Sequence, residues 1–329
     1  MPLEGFNLQE LQLAIADASA SWLVERNEFT EMSSDERRQY LGYIPGPSDP
    51  SLEEDEKIAQ ENLKAFLTAP AIKAYPPSYD LRDVDGKNYI TSIKNQGGCG
   101  ACVAFGVAAA AEGRLRKQVD NPNLDVDYSE AHLFYCYARS EGRNCGNGWW
   151  ISGALDAFRD SGVVDEACFP YTAQDQTCNL CQNWEERLTK ITGWHALTSA
   201  ESMKEWISTQ GPLVTRFSVY EDFFAYGGGI YKHVKGGLVA GHCVCCVGYN
   251  DIEGYWICKN SWKDSFGENG YFRIAYGECG IDSSMAAIES VKTQKVITRA
   301  NVSAWMIPLL AQSQRPQSTT AVTTLLLGR

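Results

Sequence analysis

The stretch NQGGCGAC, residues 95–102, constrains this 329-residue chain more than any other feature, because it places Cys99 and Cys102 three positions apart. Such a pair can be a redox dithiol, half of a zinc site, or a structural cysteine beside a nucleophile. A redox dithiol needs a strand–helix–strand context with its first cysteine at the start of the helix. Here the Ala-rich run VAFGVAAAAEGRLRK follows the second cysteine, which disfavours the dithiol.

A zinc site would combine this pair with Cys178 and Cys181 in CNLC. Structural zinc sites usually place two such pairs about 15–20 residues apart, and the separation here is far larger. The zinc interpretation is therefore also disfavoured. A third group, Cys243, Cys245 and Cys246, lies in one apolar run. Alternation along a strand would point Cys246 away from the other two, so we expect core thiols, together with Cys258, rather than a metal site.

A cysteine nucleophile requires a base, an orienting partner for that base, and donors for the oxyanion. Of four histidines, His242 stands at the start of the apolar run HCVCCVGYN, 140 residues after Cys102. Asn260 follows 18 residues later in KNSW, with Trp262 beside it. A helix that begins at Cys102 would direct its positive end at the sulfur and favour the thiolate. Cys102, His242 and Asn260 are thus a candidate catalytic set.

At these residues the chain resembles the papain/cathepsin family of cysteine peptidases. The matching motifs occur in the family's order across about two-thirds of the chain. They are NQGGCGAC with the following AF, CGNG at 145–148, FPYT at 169–172, GH…VGYN at 241–250, and KNSW…GENGYFRI at 259–274. The resemblance implies an α+β fold of two lobes, a helical lobe carrying Cys102 and a β-barrel-like lobe carrying His242 and Asn260.

The resemblance also implies a role for each matching residue. Cys102 corresponds to the nucleophile, His242 to the general base and acid, and Asn260 to the residue that orients the imidazole. Gln96 corresponds to the side-chain donor of the oxyanion hole, and Trp262 to an aromatic shield over the His–Asn pair. No cofactor or metal is implied. The implied disulfides are Cys99–Cys145, Cys136–Cys178 and Cys168–Cys181; Cys279 lacks its usual partner in the sequence.

Substrate-binding residues follow from the same resemblance. Gly148 corresponds to the glycine whose backbone pairs with an extended peptide, and Asn147 stands where the family usually has glycine. The pocket for the second residue before the cleaved bond should be lined by Trp149, Trp150, Arg216, Ala240, Cys243 and Ser284. Arg216 replaces a small apolar residue. We favour a guanidinium turned outward to solvent, and the alternative is a preference for acidic or polar side chains in that pocket.

Composition limits the remaining possibilities. The formal net charge of −12 argues against nucleic acid as a partner, and no apolar run approaches the length of a membrane helix. Twelve cysteines suggest an oxidising compartment (secreted, periplasmic or lysosome-like), whereas the first residues do not read as a signal peptide. Localisation is left open. Peptides or proteins are the expected substrates, protein inhibitors of cysteine peptidases are candidate partners, and a monomer is expected.

The chain divides into three parts. Residues 1–73 are acidic, contain no cysteine and few glycines, and predict helices at 8–25, from about Ser34, and over LEEDEKIAQENLKAFL. Because they precede YPPSYDLRD, which resembles a mature N-terminus, we expect an inhibitory propeptide that is cut near Lys73–Tyr75. Residues 74–292 form the peptidase domain, with a helical lobe at about 84–193 and a barrel lobe at 194–292 plus 74–83. Residues 293–329 are a tail.

The expected function is a cysteine-type endopeptidase made as a latent precursor. Two alternatives stay open. EACFPYT is close to dipeptidyl-peptidase sequences, so an exopeptidase of the same fold is one. A catalytically silent binding homologue is the other, although the intact Cys, His, Asn and Gln argue against it.

Overall fold

The computed structural model describes residues 7–68 and 75–293. Residues 7–68, called here the N-terminal segment, contain four helices and one short strand. These elements are α1 (Leu8–Asp17), β1 (Leu23–Val24), α2 (Glu28–Glu31), α3 (Ser34–Arg38) and α4 (Leu52–Thr68). Asn27 and Ser33 cap α2 and α3 with reciprocal side-chain to backbone hydrogen bonds, which fixes where these short helices start.

The first predicted helix is shorter than expected. It ends at Asp17, and Ser19 adopts a left-handed conformation, so Trp22 lies beyond the helix rather than on it. The indole of Trp22 is buried, and its Nε1 donates to the carbonyl of Lys232 at 2.9 Å. The helix predicted at 8–25 includes Trp22, whereas in the structure Trp22 follows the end of the helix.

The helical lobe is built around α5 (Cys102–Gln118), which is buried along most of its length. Its alanines and two glycines allow close packing on all sides: a Cβ on Gly106 would lie 2.7 Å from Sγ of Cys243. A π-helix (His132–Ala138), α6 (Ile151–Asp160) and a 3₁₀ helix (Trp184–Arg187) surround it. Three disulfides link this lobe, namely Cys99–Cys145, Cys136–Cys178 and Cys168–Cys181.

The barrel lobe consists mainly of one sheet. Its strands are β2 (Ser78–Asp80), β4 (Trp194–Leu197), β5 (Leu213–Tyr220), β7 (Ile230–Tyr231), β8 (Leu238–Asn250), β9 (Tyr255–Lys259), β10 (Tyr271–Ala275) and β11 (Met285–Ile288). Their order in the sheet is β4-β11-β5-β8-β9-β10-β7, and β2 pairs with the C-terminal end of β8. Helix α7 (Ala200–Thr209) and 3₁₀ helices at Glu221–Ala225 and Glu278–Gly280 complete the lobe.

Two small sheets extend beyond these lobes. Strand β6 (Tyr226–Gly228) pairs antiparallel with β1, so the N-terminal segment joins the barrel lobe by strand pairing. Strand β12 (Val291–Thr293) pairs with β3 (Thr189–Ile191), which belongs to the helical lobe. The last described strand thus returns to the helical lobe. The remainder of the predicted tail, 294–329, lies outside the described residues, as do Lys73 and the expected cleavage position around it.

Within the described ranges, none of the helices is both long and apolar enough to span a membrane.

Candidate active site

Cys102, His242 and Asn260 come from three different elements and meet between the lobes. Cys102 is the first residue of α5, His242 lies in β8, and Asn260 follows the end of β9. Nε2 of His242 lies 2.8 Å from Oδ1 of Asn260. This hydrogen bond makes Nε2 the protonated ring nitrogen and leaves Nδ1 to accept a proton. Among the described residues Nδ1 has no hydrogen-bond partner.

Both reacting groups are fully buried, and burial controls their protonation. It raises the pKa of the Cys102 thiol to about 11, although backbone N–H groups of Cys243 and Gly42 oppose the shift. It lowers the pKa of His242 to about 4, although the hydrogen bond that His242 donates to Asn260 opposes the shift. Between these values the pair is a neutral thiol and a neutral imidazole, not the thiolate–imidazolium pair that a nucleophile needs.

Hydrogen bonds to Ser261, Cys99 and Tyr40 hold the side chain of Gln96 in place. Its side-chain Oε1 accepts from the hydroxyl of Ser261 at 2.6 Å, which fixes the amide orientation so that Nε2 donates. Nε2 donates to the carbonyls of Cys99 and Tyr40, at 2.9 and 3.0 Å. The Tyr40 carbonyl belongs to the N-terminal segment. A donor suited to an oxyanion is therefore engaged by that segment.

Trp262 covers the histidine. Its ring centroid lies 4.7 Å from that of His242, and both side chains are inaccessible to solvent. On its other side Trp262 stacks on Phe224 and contacts Phe29, whose ring centroid is 4.8 Å away. Phe29 is in α2, so the N-terminal segment contributes to this aromatic cluster. The apolar cover keeps water from the His242–Asn260 hydrogen bond.

The N-terminal segment passes through the cleft between the lobes. The backbone N–H of Tyr43 donates to Gly241 of β8, at 3.1 Å. On the opposite wall, the N–H of Trp149 donates to Gly42, and the N–H of Ile44 donates to Trp149. The segment is thus bound as an extended strand by main-chain hydrogen bonds to both lobes. This is how a cleft holds a peptide without regard to its side chains.

Gly42 is the point of closest approach. A Cβ on Gly42 would lie 2.0 Å from the carbonyl oxygen of Gly100, two residues before the nucleophile. A Cβ on Gly148 would lie 1.9 Å from the carbonyl oxygen of Gly42. Gly148 also has a positive φ of 64°, which favours glycine. The backbone that pairs with the segment is that of Trp149. Pairing of the Gly148 backbone with a substrate peptide stays a prediction.

The other predicted cleft residues divide into two groups. Trp150 is close to the segment, since a Cβ on Gly46 would lie 3.1 Å from its ring, and Ala240 precedes Gly241 on β8. The Trp149 indole instead turns away and donates to Glu141 at 2.9 Å. Asn147 is exposed and bonds within its own turn, so its side chain is not brought into the cleft. In this structure Asn147 stabilises its own turn and does not line the cleft.

The expectation that Arg216 turns outward is wrong. Arg216 is 7% exposed, and its guanidinium forms a two-pronged ion pair with Asp55 of α4, through Nε at 2.9 Å and Nη2 at 2.6 Å. Nη1 donates to the hydroxyl of Ser284 at 2.9 Å. Cys243 faces Arg216 across the β5–β8 ladder. Arg216, Cys243 and Ser284 are therefore together, as predicted, but with an acidic partner that the prediction lacked.

Sequence reasoning missed the residues that fill the cleft, namely Tyr40, Gly42, Tyr43, Asp49 and Asp55, as well as Ser261. One signal was available. Gly42 and Gly46 are two of only three glycines in the first 73 residues, and both mark close backbone approach. Ser261 had no signal, because a serine between two motif residues looks like any strand-end polar residue. Six cysteines are free and buried in the described part of the chain, Cys102 among them.

A comparison of the sequence with family models matches residues 75–289 to the papain family cysteine protease model. Similar relatives include two cathepsin B-type proteins. A cathepsin B of Dictyostelium discoideum is 32% identical over 220 residues, covering 60% of this chain and 69% of the relative. A cathepsin B-like cysteine proteinase 3 of Caenorhabditis elegans is 30% identical over 322 residues, covering 87% of this chain and 84% of the relative.

Among solved structures, the digestive procathepsin L2 proteinase from the larval midgut of Tenebrio molitor is similar to this chain. The TM-score is 0.68 at 26% identity, with 85% of this chain and 88% of that chain covered. The similarity extends beyond residues 75–289 and includes part of the N-terminal segment, because the matched family region alone is shorter than this coverage.

Proposed function

Because the chain belongs to the papain family of cysteine proteases, we propose that it is the latent precursor of an endopeptidase that cleaves peptide bonds through Cys102, His242, Asn260 and Gln96. The observation that carries this proposal is the His242–Asn260 hydrogen bond beside a cysteine at the start of a buried helix. The N-terminal segment, which is bound next to these residues as an extended strand, also supports the proposal.

The chemistry follows from these positions. Once the cleft is open to solvent, the proton of Cys102 moves to Nδ1 of His242, and the positive end of α5 stabilises the thiolate. The thiolate attacks the peptide carbonyl carbon, and the oxyanion accepts from Nε2 of Gln96, which Ser261 keeps in the donating orientation. His242 then gives its proton to the leaving amine. Water, deprotonated by His242, hydrolyses the thioester and releases the second product.

Endopeptidase activity is supported by the course of the N-terminal segment. The segment enters beside Trp262, crosses Cys102 at Gly42, and leaves past Trp150. A cleft that accommodates a continuous chain on both sides of the nucleophile has room for a long substrate on both sides. An exopeptidase requires a group that blocks one side. Cleavage of an internal bond in a long peptide, mapped by mass spectrometry, supports the proposal, whereas stepwise release of dipeptides from one end contradicts it.

Latency is the second part of the proposal. The segment excludes water from Cys102 and His242, engages Gln96, and occupies the main-chain positions on Gly241 and Trp149. The family match and the procathepsin likeness support its role as an intramolecular inhibitor.

Site-selective alkylation tests both parts. Iodoacetamide at mildly acidic pH should modify Cys102 only after residues 1–73 are removed, and activity toward a small peptide substrate should appear at the same time. The Cys102→Ala chain, processed with an added protease, is the control and should have neither. Equal labelling and activity before and after removal would contradict latency. Absence of labelling and activity in both states would contradict the peptidase proposal.

A further inference from the structure

The ion pair between Arg216 and Asp55 joins two parts of the chain that the proposed activation separates. Arg216 lies in β5, and Asp55 lies in the first turn of α4, 1% exposed. Both carboxylate oxygens accept from the guanidinium, at 2.6 and 2.9 Å. This two-pronged geometry is the one by which arginine recognises a carboxylate with directional specificity.

The pair lies in the pocket next to the nucleophile. Phe217, the residue after Arg216, is paired with His242, and Arg216 itself is paired with Cys243. The backbone N–H of Cys243 donates to Sγ of Cys102, at 3.4 Å. Tyr43 also enters this pocket: its side chain is buried, and its ring centroid is 5.7 Å from the Arg216 guanidinium carbon.

The acidic groups that act on Arg216 are Asp55 and Asp49, and both belong to the N-terminal segment. Ser284, with its hydroxyl and its carbonyl, is the contact from the barrel lobe. When the segment leaves, Arg216 loses its carboxylate partner together with the Tyr43 ring. An arginine at the wall of a pocket without a counter-charge binds a carboxylate more strongly than a neutral group of the same shape.

We propose that Arg216 makes this pocket selective for a carboxylate side chain, Asp or Glu, at the second residue before the cleaved bond, and that Asp55 occupies the same site in the latent chain. The inference rests on the proposed peptidase function and specifies its substrate class. Asp55 is then an internal ligand of the specificity pocket, supplied from a helix rather than from the strand that crosses the cleft.

The test compares three fluorogenic dipeptide amides. All three have Arg directly before the cleaved bond, and they carry Glu, Gln or Leu as the second residue before it. Glu and Gln have nearly the same shape, so their ratio isolates the charge. At about pH 6, where a glutamate is ionised, the processed enzyme should have a kcat/KM for the Glu substrate at least about tenfold above that for Gln. The preference should weaken as salt concentration rises.

Variants identify the residue responsible. Arg216→Met should abolish the Glu-over-Gln preference and shift the profile toward Leu. Because Arg216→Met alone leaves Asp55 buried without its partner, the same substitution is also made in an Asp55→Leu chain, where both charges are absent and folding is protected. Arg159→Met, at a partly exposed position on α6, is the matched control and should retain the parent profile.

Two outcomes would overturn the inference. One is a parent enzyme that cleaves the Gln or Leu substrate as well as the Glu substrate. The other is a Glu preference that survives Arg216→Met. Failure of the proposed function is distinguishable: none of the three substrates would be cleaved, and Cys102 of the processed chain would not be alkylated, which overturns the peptidase activity and the specificity together.

Discussion

The side-chain amide of Gln96 donates to the carbonyl oxygen of Tyr40, 3.0 Å away. The donor proposed to stabilise the transition state is thus satisfied by the N-terminal segment in the latent chain. Ser261 holds the other end of the amide, so the donor keeps its direction when Tyr40 leaves. Activation therefore requires removal of an acceptor and no reorientation of Gln96.

Gln96→Ala should reduce kcat of the processed enzyme by roughly 10²–10³-fold, because one oxyanion donor is lost. KM for a small peptide should change little, since the donor acts on charge that develops only in the transition state. Steady-state kinetics on active-site-titrated enzyme measures both constants. A large rise in KM with an unchanged kcat would contradict the assignment and indicate a role in substrate binding.

Gly42→Ala should weaken latency. The added Cβ would lie 2.0 Å from the Gly100 carbonyl oxygen, a backbone atom that cannot move without shifting the nucleophile's own loop. We expect measurable activity toward a small peptide, and alkylation of Cys102, in the unprocessed chain. Gly237→Ala is the control because no atom of residues 7–68 or 75–293 lies within 4 Å of its Cβ position. Full latency in Gly42→Ala would show that the segment is not positioned by this contact.

Asp55→Ala should destabilise the latent chain by about 3–5 kcal/mol, because it leaves a buried guanidinium without its partner. Denaturant unfolding of the Cys102→Ser background, which cannot cut itself, measures the loss. Glu53→Ala is the matched control on the same helix. Among the described residues Glu53 pairs only with Lys57, at the surface, so its removal should cost little. Equal effects of the two substitutions would contradict the importance of the buried pair.

Docking of the N-terminal segment should depend on pH through His242. Burial lowers the pKa of His242 to about 4, below its ordinary value of 6.5. The contribution of the neutral imidazole to docking is therefore fully present above pH 6.5 and is lost as pH falls toward 4. The loss can reach roughly 3 kcal/mol, at about 1.4 kcal/mol per pKa unit.

Hydrogen exchange of the Tyr43 and Ile44 amides, corrected for the intrinsic pH dependence, reports this docking. In the Cys102→Ser chain, their protection should fall as the solution is acidified from pH 6.5 to pH 4. His242→Gln cannot take up the proton and should flatten that decrease. A decrease of the same size in both chains would assign the pH dependence to other groups.

Peptide mapping without reduction should recover Cys99–Cys145, Cys136–Cys178 and Cys168–Cys181 as linked pairs. Cys102 should carry a free thiol that iodoacetamide reaches only after denaturation or processing, because it is inaccessible in the latent chain. A Cys99–Cys102 disulfide would contradict the assignment of the two cysteines to separate roles.

Short motifs in fixed order allowed the sequence to predict the lobes and the residues around the nucleophile. A motif such as KNSW combines local strand geometry with chemistry, so its four residues were enough to predict the positions of Asn260 and Trp262 in the site. Gln96 and the three disulfide pairings came from the same source. The prediction that the cysteines of β8 are core thiols also used only local sequence, namely the alternation of side chains along a strand. In the structure all of these cysteines are buried.

Pairing between distant parts of the chain could not be predicted in this way. Nothing near Arg216 in the sequence indicates that Asp55, 161 residues away, would turn it inward. Without that partner, an outward arginine was the reasonable expectation, since burial of a lone guanidinium is costly. Trp22 was assigned to a helix because its spacing fits, and Ser19 ends that helix through a backbone conformation that periodicity does not detect.

Helix α4 is the longest helix of the N-terminal segment, and it follows the cleft crossing along the chain. It is anchored on the barrel lobe through Gln60 and Asn62, which donate to Gly277, Asp282 and Ser283, while β1 pairs with β6 before the crossing. A single cut between residues 68 and 75 therefore leaves these contacts of the segment intact. It converts a tethered inhibitor into a bound peptide with its own dissociation constant. From that moment the fraction of active enzyme depends on total concentration, so dilution rather than the cut itself sets when the protease begins to work.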